Sequence, residues 1–322
     1  MKIIITGVHG FVGKNLADNL SKNHTIYGLS TNSKPVHGVS QIFTWDNINR
    51  IPKADVIIHL AAIAHDINNK VDAKEYFDVN AGLTQKIYDY FLSSNISKFI
   101  FFSSIKAISN SLNNEILLES TPASPSGPYG MSKRAAEEYI LNNTPDSEKT
   151  AIILRPSMIH GLGNKGNLNL LYNYVIKGLP WPLGKFENKR SFLSMPNLIY
   201  LINKIIDSEI NNGVYNIADD EPLSTNDIVN IISSILGSKT RIYKIPKNVI
   251  YLMAKTGNLF SNTFNEYKLE KLTENYIVSN TKIKDALCIK SLPVSAQEGI
   301  EQSIKYLASS EAIDSASNSF NI

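Results

Sequence analysis

Short apolar runs alternate with longer stretches of helical periodicity through the first half of the chain. Lys2 to Thr6, Ile26 to Leu29, Phe43 to Asp46, Ala54 to Leu60, Lys98 to Phe102 and Ala151 to Leu154 read as strands. The spacing predicts helices over Val12 to Lys22, Ala73 to Ser93 and Tyr129 to Asn142. In the second of these, Tyr76, Phe77, Val79, Leu83, Ile87, Tyr90 and Phe91 recur near the helical period. Lys98 to Phe102 is apolar throughout, as suits a parallel strand covered on both faces. Strands alternating with helices predict an α/β fold, a Rossmann-type doubly wound parallel sheet.

After Pro156 the texture changes, and Gly and Pro become frequent between aromatic and basic residues. Residues 1–156 are therefore read as a nucleotide-binding domain whose sheet is completed near 214–218. Residues 157–308 are read mainly as a smaller substrate lobe, and the Ser/Asn/Ala-rich 309–322 as a frayed tail. Val249 to Phe260 has the pattern of a membrane-surface helix, but a lobe-packing helix is preferred. Tyr267 to Asn275 reads as a polar segment closing the lobe.

Composition narrows the class. The formal net charge of +3 over 322 residues, without a basic stripe, argues against a nucleic-acid partner. No apolar run is long enough to span a bilayer, so no membrane partner is expected. The single cysteine, Cys288, makes neither a disulfide framework nor a metal cluster and reads as core filler. With a first strand starting at Lys2 and no leader, a cytoplasmic location is expected. The histidines at 9, 24, 37, 59, 65 and 160 lack metal-ligand spacing, so no metal is expected; His59 reads as structural.

The first chemical signal is glycine. Gly7, Gly10 and Gly13 follow a strand and open a helix at Phe11 and Val12. That pattern gives a tight turn, close backbone approach to a pyrophosphate, and free N–H groups at a helix start. After the second strand comes Leu29-Ser30-Thr31-Asn32-Ser33-Lys34, with no carboxylate to bind a ribose 2′-hydroxyl. Ser30, Thr31 and Lys34 therefore favour NADP(H), with NAD(H) as the alternative. Asp46 is a candidate to face the adenine.

A second signal lies further along. Tyr129 and Lys133 stand one helical turn apart on a shared face, where an ammonium would lower a phenol's pKa. Ser104 ends a buried strand at the carboxyl edge, where its hydroxyl can hold the oxygen that Tyr129 protonates. Ser103 is the other candidate in that doublet.

These segments resemble the extended short-chain dehydrogenase/reductases, the family of UDP-sugar epimerases, dehydratases and 4-ketoreductases. ITGVHGFVG, DVIIHLAA, Val79-Asn80, KFIFFSSIK, Tyr129 to Lys133 and Leu154-Arg155-Pro156 carry the likeness. It implies Tyr129 as acid/base, Lys133 on the nicotinamide ribose, and Ser104 orienting the sugar oxygen. It also implies Leu60, Ala61, Ala62, Asn80, Ser103 and Pro156 beside the dinucleotide, Arg190 on the substrate diphosphate, and a homodimer. SSIK, Gly166-Asn167, Gly178 to Gly184 and Asn188 to Phe192 resemble a bacterial subgroup in surface-polysaccharide synthesis, which adds Asn167 to the substrate side. That subgroup includes proposed reductases of UDP-4-keto-6-deoxy-N-acetylhexosamines.

Met158 stands where many members have a substrate-contacting Asn, and Ile108-Ser109 replaces a common glycine pair. A dehydratase needs an acid and a base where this chain has Ile105-Lys106. The resemblance thus implies first an NADPH-dependent reductase of a UDP-linked 4-keto-sugar. The alternative is a UDP-hexose or UDP-N-acetylhexosamine 4-epimerase holding NAD. A non-catalytic dinucleotide sensor is less favoured, because the Ser/Tyr/Lys set is intact.

Overall fold

A computed structural model describes residues 1–64, 71–112, 115–164, 167–238, 240–260 and 265–319. Within helices it leaves aside the side chains of 167, 256–260, 267–268 and 310–319. The core is built by β1 (Lys2–Thr6), α1 (Phe11–Leu20), β2 (Thr25–Ser30), β3 (Gln41–Thr44), β4 (Val56–His59), α2 (Ala73–Phe77), α3 (Leu83–Ser93) and β5 (Lys98–Phe102). The short β6 (Ile116–Leu117), α4 (Gly127–Asn142) and β7 (Thr150–Pro156) follow. Beyond them come β8 (Met158–His160), α5 (Asn167–Ile176), β9 (Phe192–Ser194), α6 (Met195–Asp207) and β10 (Gly213–Ile217). The chain ends through α7 (Thr225–Ile235), α8 (Lys247–Phe260), α9 (Glu266–Thr273), β11 (Ile277–Val278), α10 (Thr281–Ala286) and α11 (Ala296–Ser319).

Seven strands form one parallel sheet in the order β10-β7-β5-β4-β1-β2-β3. The apolar runs explain it. Ile3, Ile5, Ile58, Ile100 and Phe102 pack on one face with α1 and α6. Their alternates Ile4, Ile57, Phe99 and Phe101 pack on the other with α3 and α4. Each fully buried Ile or Phe contributes roughly 1.5–3 kcal/mol, so both faces must be covered. All carboxyl ends then lie on one edge, and the order reverses between β1 and β4.

Several expectations are corrected. The helix expected over Ala73 to Ser93 is present, but it contains a π-helical turn at Asp78–Gly82 that the spacing did not predict. The third strand ends at Thr44, and Asp46 falls in a 3-10 turn. Leu198, Leu201, Ile202 and Ile205 of α6, read from sequence as lobe, lie in the sheet's core. Helix α11 continues to Ser319, into the segment read as a tail, because nothing after Ala296 except Gly299 interrupts a helix once begun. Cys288 is exposed with φ 54°, since it ends α10 in a left-handed turn and not in the core.

The lobe has its own core of Tyr172, Trp181, Phe186, Ile228, Ile250 and Ile300. Two short parallel pairs, β8 with β9 and β6 with β11, stitch it to the sheet's carboxyl edge. Among the described residues no helix is long and apolar enough to cross a membrane.

One buried polar knot fixes α4. Glu137, fully buried, accepts Arg155 Nε at 2.8 Å and Nη2 at 2.7 Å, and the Ser103 hydroxyl at 2.6 Å. These contacts tie the helix to β7 and to the end of β5. Removing one partner strands a buried charge, so Arg155→Leu should destabilise the chain by about 3–5 kcal/mol. The double replacement Arg155→Leu/Glu137→Leu should recover most of that loss. Denaturant unfolding of both variants checks it, and equal losses would refute the assignment.

Candidate active site

The glycine turn is shaped by contacts no side chain permits. A Cβ on Gly7, whose φ is +67°, would stand 2.8 Å from the Ala61 amide nitrogen. One on Gly13 would stand 2.5 Å from the Gly7 carbonyl oxygen. No side chain caps α1 at Gly10, so the first-turn N–H groups at Phe11, Val12 and Gly13 are left for an outside acceptor. With the strand-order reversal beside it, this cradle fits the pyrophosphate of a dinucleotide.

His9, inside that turn, had no role in the sequence reading. Its Nε2–H donates to the Lys34 carbonyl at 2.9 Å, so its Nδ1 accepts the Ser30 hydroxyl at 2.8 Å. Ser30 is therefore committed within the protein, while Thr31 and Lys34 are exposed. Asp46 is exposed beyond β3, the edge strand. Leu60, Ala61 and Ala62 line the end of β4 half-buried, and the Leu60 and Ala61 amides donate to Thr6 Oγ1 at 3.0 Å each.

Asn80 sits in the π-turn, fully buried. It accepts the Ile63 amide at 2.8 Å and donates to the Ile63 carbonyl at 3.1 Å and Ser132 Oγ at 3.0 Å. The Ser132 hydroxyl in turn donates to the Tyr129 carbonyl at 3.0 Å. Insertion of one residue into the helix aims Asn80 at α4, consistent with the frequent appearance of π-bulges at functional sites.

Tyr129, Lys133 and Glu137 share one face of α4, so the Glu137 knot positions the other two. Gly130 lets the helix close on the turn after β5, because a Cβ there would lie 2.5 Å from the Lys106 carbonyl. The two serines of the strand-end doublet make different contacts. Ser103 turns inward to Glu137, whereas Ser104 Oγ accepts the Lys106 amide at 3.2 Å and lies near enough to the Tyr129 phenol to lower its pKa.

The Lys133 amine donates to the Phe102 carbonyl at 2.7 Å and sits 4.9 Å from the Phe101 ring centroid. Burial pushes its pKa down to about 7, with Glu137 acting the other way. Burial also pushes Tyr129 above the usual phenol range, the Ser104 hydrogen bond opposes this, and Tyr76 adds to it. The expected lowering of Tyr129 by Lys133 is thus not seen. The amine is pinned to a carbonyl, and desolvation dominates both groups.

Pro156 is buried at the end of β7, beside Ile217 of β10. Arg190 is 16% exposed and pairs with Glu274 at 3.5 Å, and its Nη1 donates to the Lys271 carbonyl. Sequence reading treated Lys106 only as the absence of an acid. Its amine donates to the Asn110 carbonyl at 3.0 Å and lies 4.9 Å from the Tyr276 ring centroid. Burial first, then Lys271, push its pKa down to about 8 against Glu274, with Arg190 adding to the lowering. Lys106, Arg190 and Lys271 thus form a cationic group around one carboxylate, two residues from Ser104. Gly166 and the Asn167 side chain lie outside the described residues.

The sequence signature of the NAD dependent epimerase/dehydratase family matches residues 3–218. UDP-glucose 4-epimerase of Vibrio cholerae is 30% identical over 319 residues, covering 93% of each chain. The N-acetyl-alpha-D-glucosaminyl-diphospho-ditrans,octacis-undecaprenol 4-epimerase of Escherichia coli O157:H7 is 26% identical over 94% of each. The crystal structure of UDP-N-acetylglucosamine 4-epimerase from Bacillus cereus superposes with a TM-score of 0.75 at 22% identity, over 96% of this chain and 99% of that one. That likeness shows the fold. The chain belongs to the NAD dependent epimerase/dehydratase family and is an enzyme of that class.

The buried ammonium gives a pH-dependent stability. The folded-state pKa of Lys133, about 7, lies below its ordinary 10.5, so between those values the unfolded chain binds more protons and stability rises with pH. Its cost is complete below about pH 7 and vanishes toward pH 10.5. Lys133→Met should stabilise the chain by about 1–2 kcal/mol in mildly acidic buffer, with the advantage shrinking as pH rises. Chemical unfolding of both proteins across that range checks it; a pH-independent difference would count against a buried, shifted amine.

Proposed function

We propose that this enzyme carries out nicotinamide-dependent redox chemistry at C4 of a nucleotide-linked hexose, with 4-epimerisation as its reaction. The observation that carries this reading is the placement of Ser104 beside Tyr129, with Lys133 one turn on, at the sheet edge that bears the glycine cradle. Two 4-epimerases aligning with over nine-tenths of the chain support the reaction type.

When bound, the nicotinamide would accept and return the hydride. Phe11, Val12 and the three glycines would hold the pyrophosphate, and Asn80 would keep the catalytic helix in register with the loop after β4. Tyr129 would exchange the proton of the sugar O4, and Ser104 would hold that oxygen. Raised by burial, the phenol is protonated in the free chain, the form that gives a proton to a ketone. Lys133, titrating near 7, would supply positive charge when O4 loses its proton. Arg190 and Lys106 would meet the diphosphate.

The dinucleotide is proposed to be NAD(H). The sequence-based preference for NADP(H) used the Ser30 hydroxyl, which His9 occupies, leaving only Thr31 and Lys34 for a 2′-phosphate. A second reading, one-way reduction of a 4-keto-sugar, is supported by the SSIK and Gly178 to Gly184 segments that resemble ketoreductases.

Incubation with UDP-hexoses and UDP-N-acetylhexosamines separates the two. Isomer exchange without net cofactor oxidation supports epimerisation, and stoichiometric loss of reduced cofactor supports reduction. Tyr129→Phe should lower kcat by about 10³-fold with little change in dinucleotide affinity. Turnover within tenfold of the parent would end both readings.

A further inference from the structure

Carboxylates stop at Asp227 and resume at Glu266. Residues 228–265 contain five cations and no acid. Arg241, Lys244, Lys247 and Lys255 in this stretch are all exposed. Helix α8, within it, buries Ile250 and Ala254 in the lobe core. Tyr251 meets the Phe186 ring edge-on at 5.9 Å, and the Lys247 amine lies 5.4 Å from the same ring centroid, which fixes the helix's orientation.

The opposite side of α8 carries exposed apolar side chains. Val249 is 46% exposed, Leu252 64% and Met253 51%. Helical spacing gathers these three into one stripe. A single exposed leucine means nothing. A contiguous apolar stripe flanked by exposed cations is the pattern of a helix lying in a membrane interface. At 14 residues α8 falls short of the ~20 that span a bilayer, so it could only lie along one.

We propose that α8 and the loop before it seat the protein on an anionic phospholipid surface. Arg241, Lys244, Lys247 and Lys255 meet headgroup phosphates, while Val249, Leu252 and Met253 enter the acyl boundary. This keeps the packing role read from sequence, through Ile250 and Ala254, and departs only from the expectation of no membrane partner. It also goes beyond the reaction at Tyr129 and does not depend on it.

The test sediments the full chain, without cofactor or substrate, with phosphatidylcholine vesicles and with vesicles in which phosphatidylglycerol replaces a third of the lipid. Binding is expected only with the anionic vesicles, and weaker in high salt. Lys244→Ala and Lys247→Ala should each lower partitioning about fivefold. Leu252→Asp should lower it at least about tenfold, with melting temperature and turnover of soluble nucleotide sugar unchanged. If Leu252→Asp misfolds, the lysine variants still decide. Equal binding to both vesicle types, or none, overturns the proposal. So does a self-association that Leu252→Asp abolishes without vesicle binding, which would give the stripe to a second copy.

Discussion

The buried carboxylate of Glu137 is the contact on which the site's geometry depends. It joins α4 to β7 through Arg155 and to the end of β5 through Ser103. Tyr129 and Lys133 project from the same helical face one and two turns earlier, so their positions are inherited from that knot. Ser103 answers to the same carboxylate, which is why its neighbour Ser104 is the hydroxyl available to Tyr129. An ion pair so deep adds little net stability compared with apolar packing, so its value here lies in fixing position.

Burial sets the electrostatics of this arrangement. Desolvation drives the phenol and the amine toward their neutral forms in opposite directions, so neither charge is strongly maintained in the free chain. Around Lys106 the same force acts, but there two further cations reinforce it against one carboxylate. The Tyr129–Lys133 side of the cleft is thus close to neutral and the Lys106–Arg190 side is cationic.

The parallel sheet, the glycine turn and the Tyr129–Lys133 pair were legible in the sequence because each is a local pattern with one backbone solution. Gly7 and Gly13 permit no side chain, and Lys98 to Phe102 has nowhere to go but between two layers. Long-range contacts were not legible. Nothing local tells that Ser103 meets Glu137 across 34 positions, or that His9 takes the Ser30 hydroxyl and weakens the case for a 2′-phosphate. The π-turn at Asn80 was hidden because apolar spacing runs through it unbroken. The packing role of α8 was legible through Ile250 and Ala254, but the exposure of Val249 and Leu252 on its other side was not, because apolar spacing alone does not say which residues the lobe covers.

His59 shows how far such hidden contacts reach. Thr84 has one hydroxyl proton, and it goes to the Asn80 carbonyl at 2.6 Å, so Thr84 must accept from His59 Nε2–H at 2.9 Å. His59 Nδ1 is then an acceptor, and Thr6 Oγ1 donates to it at 2.6 Å while receiving the Leu60 and Ala61 amides. Apart from the bond that Asn80 returns to the Ile63 carbonyl, the donations run one way, from the loop after β4 through Asn80 and Ser132 to the carbonyl of Tyr129. A proton on Nδ1 would face a hydroxyl already donating to it and would break the chain at that link. Burial and the nearby Lys133 both hold His59 well below its ordinary pKa. The same desolvation that costs stability at Lys133 therefore keeps the hydrogen bonds between the loop after β4 and α4 in a single proton arrangement.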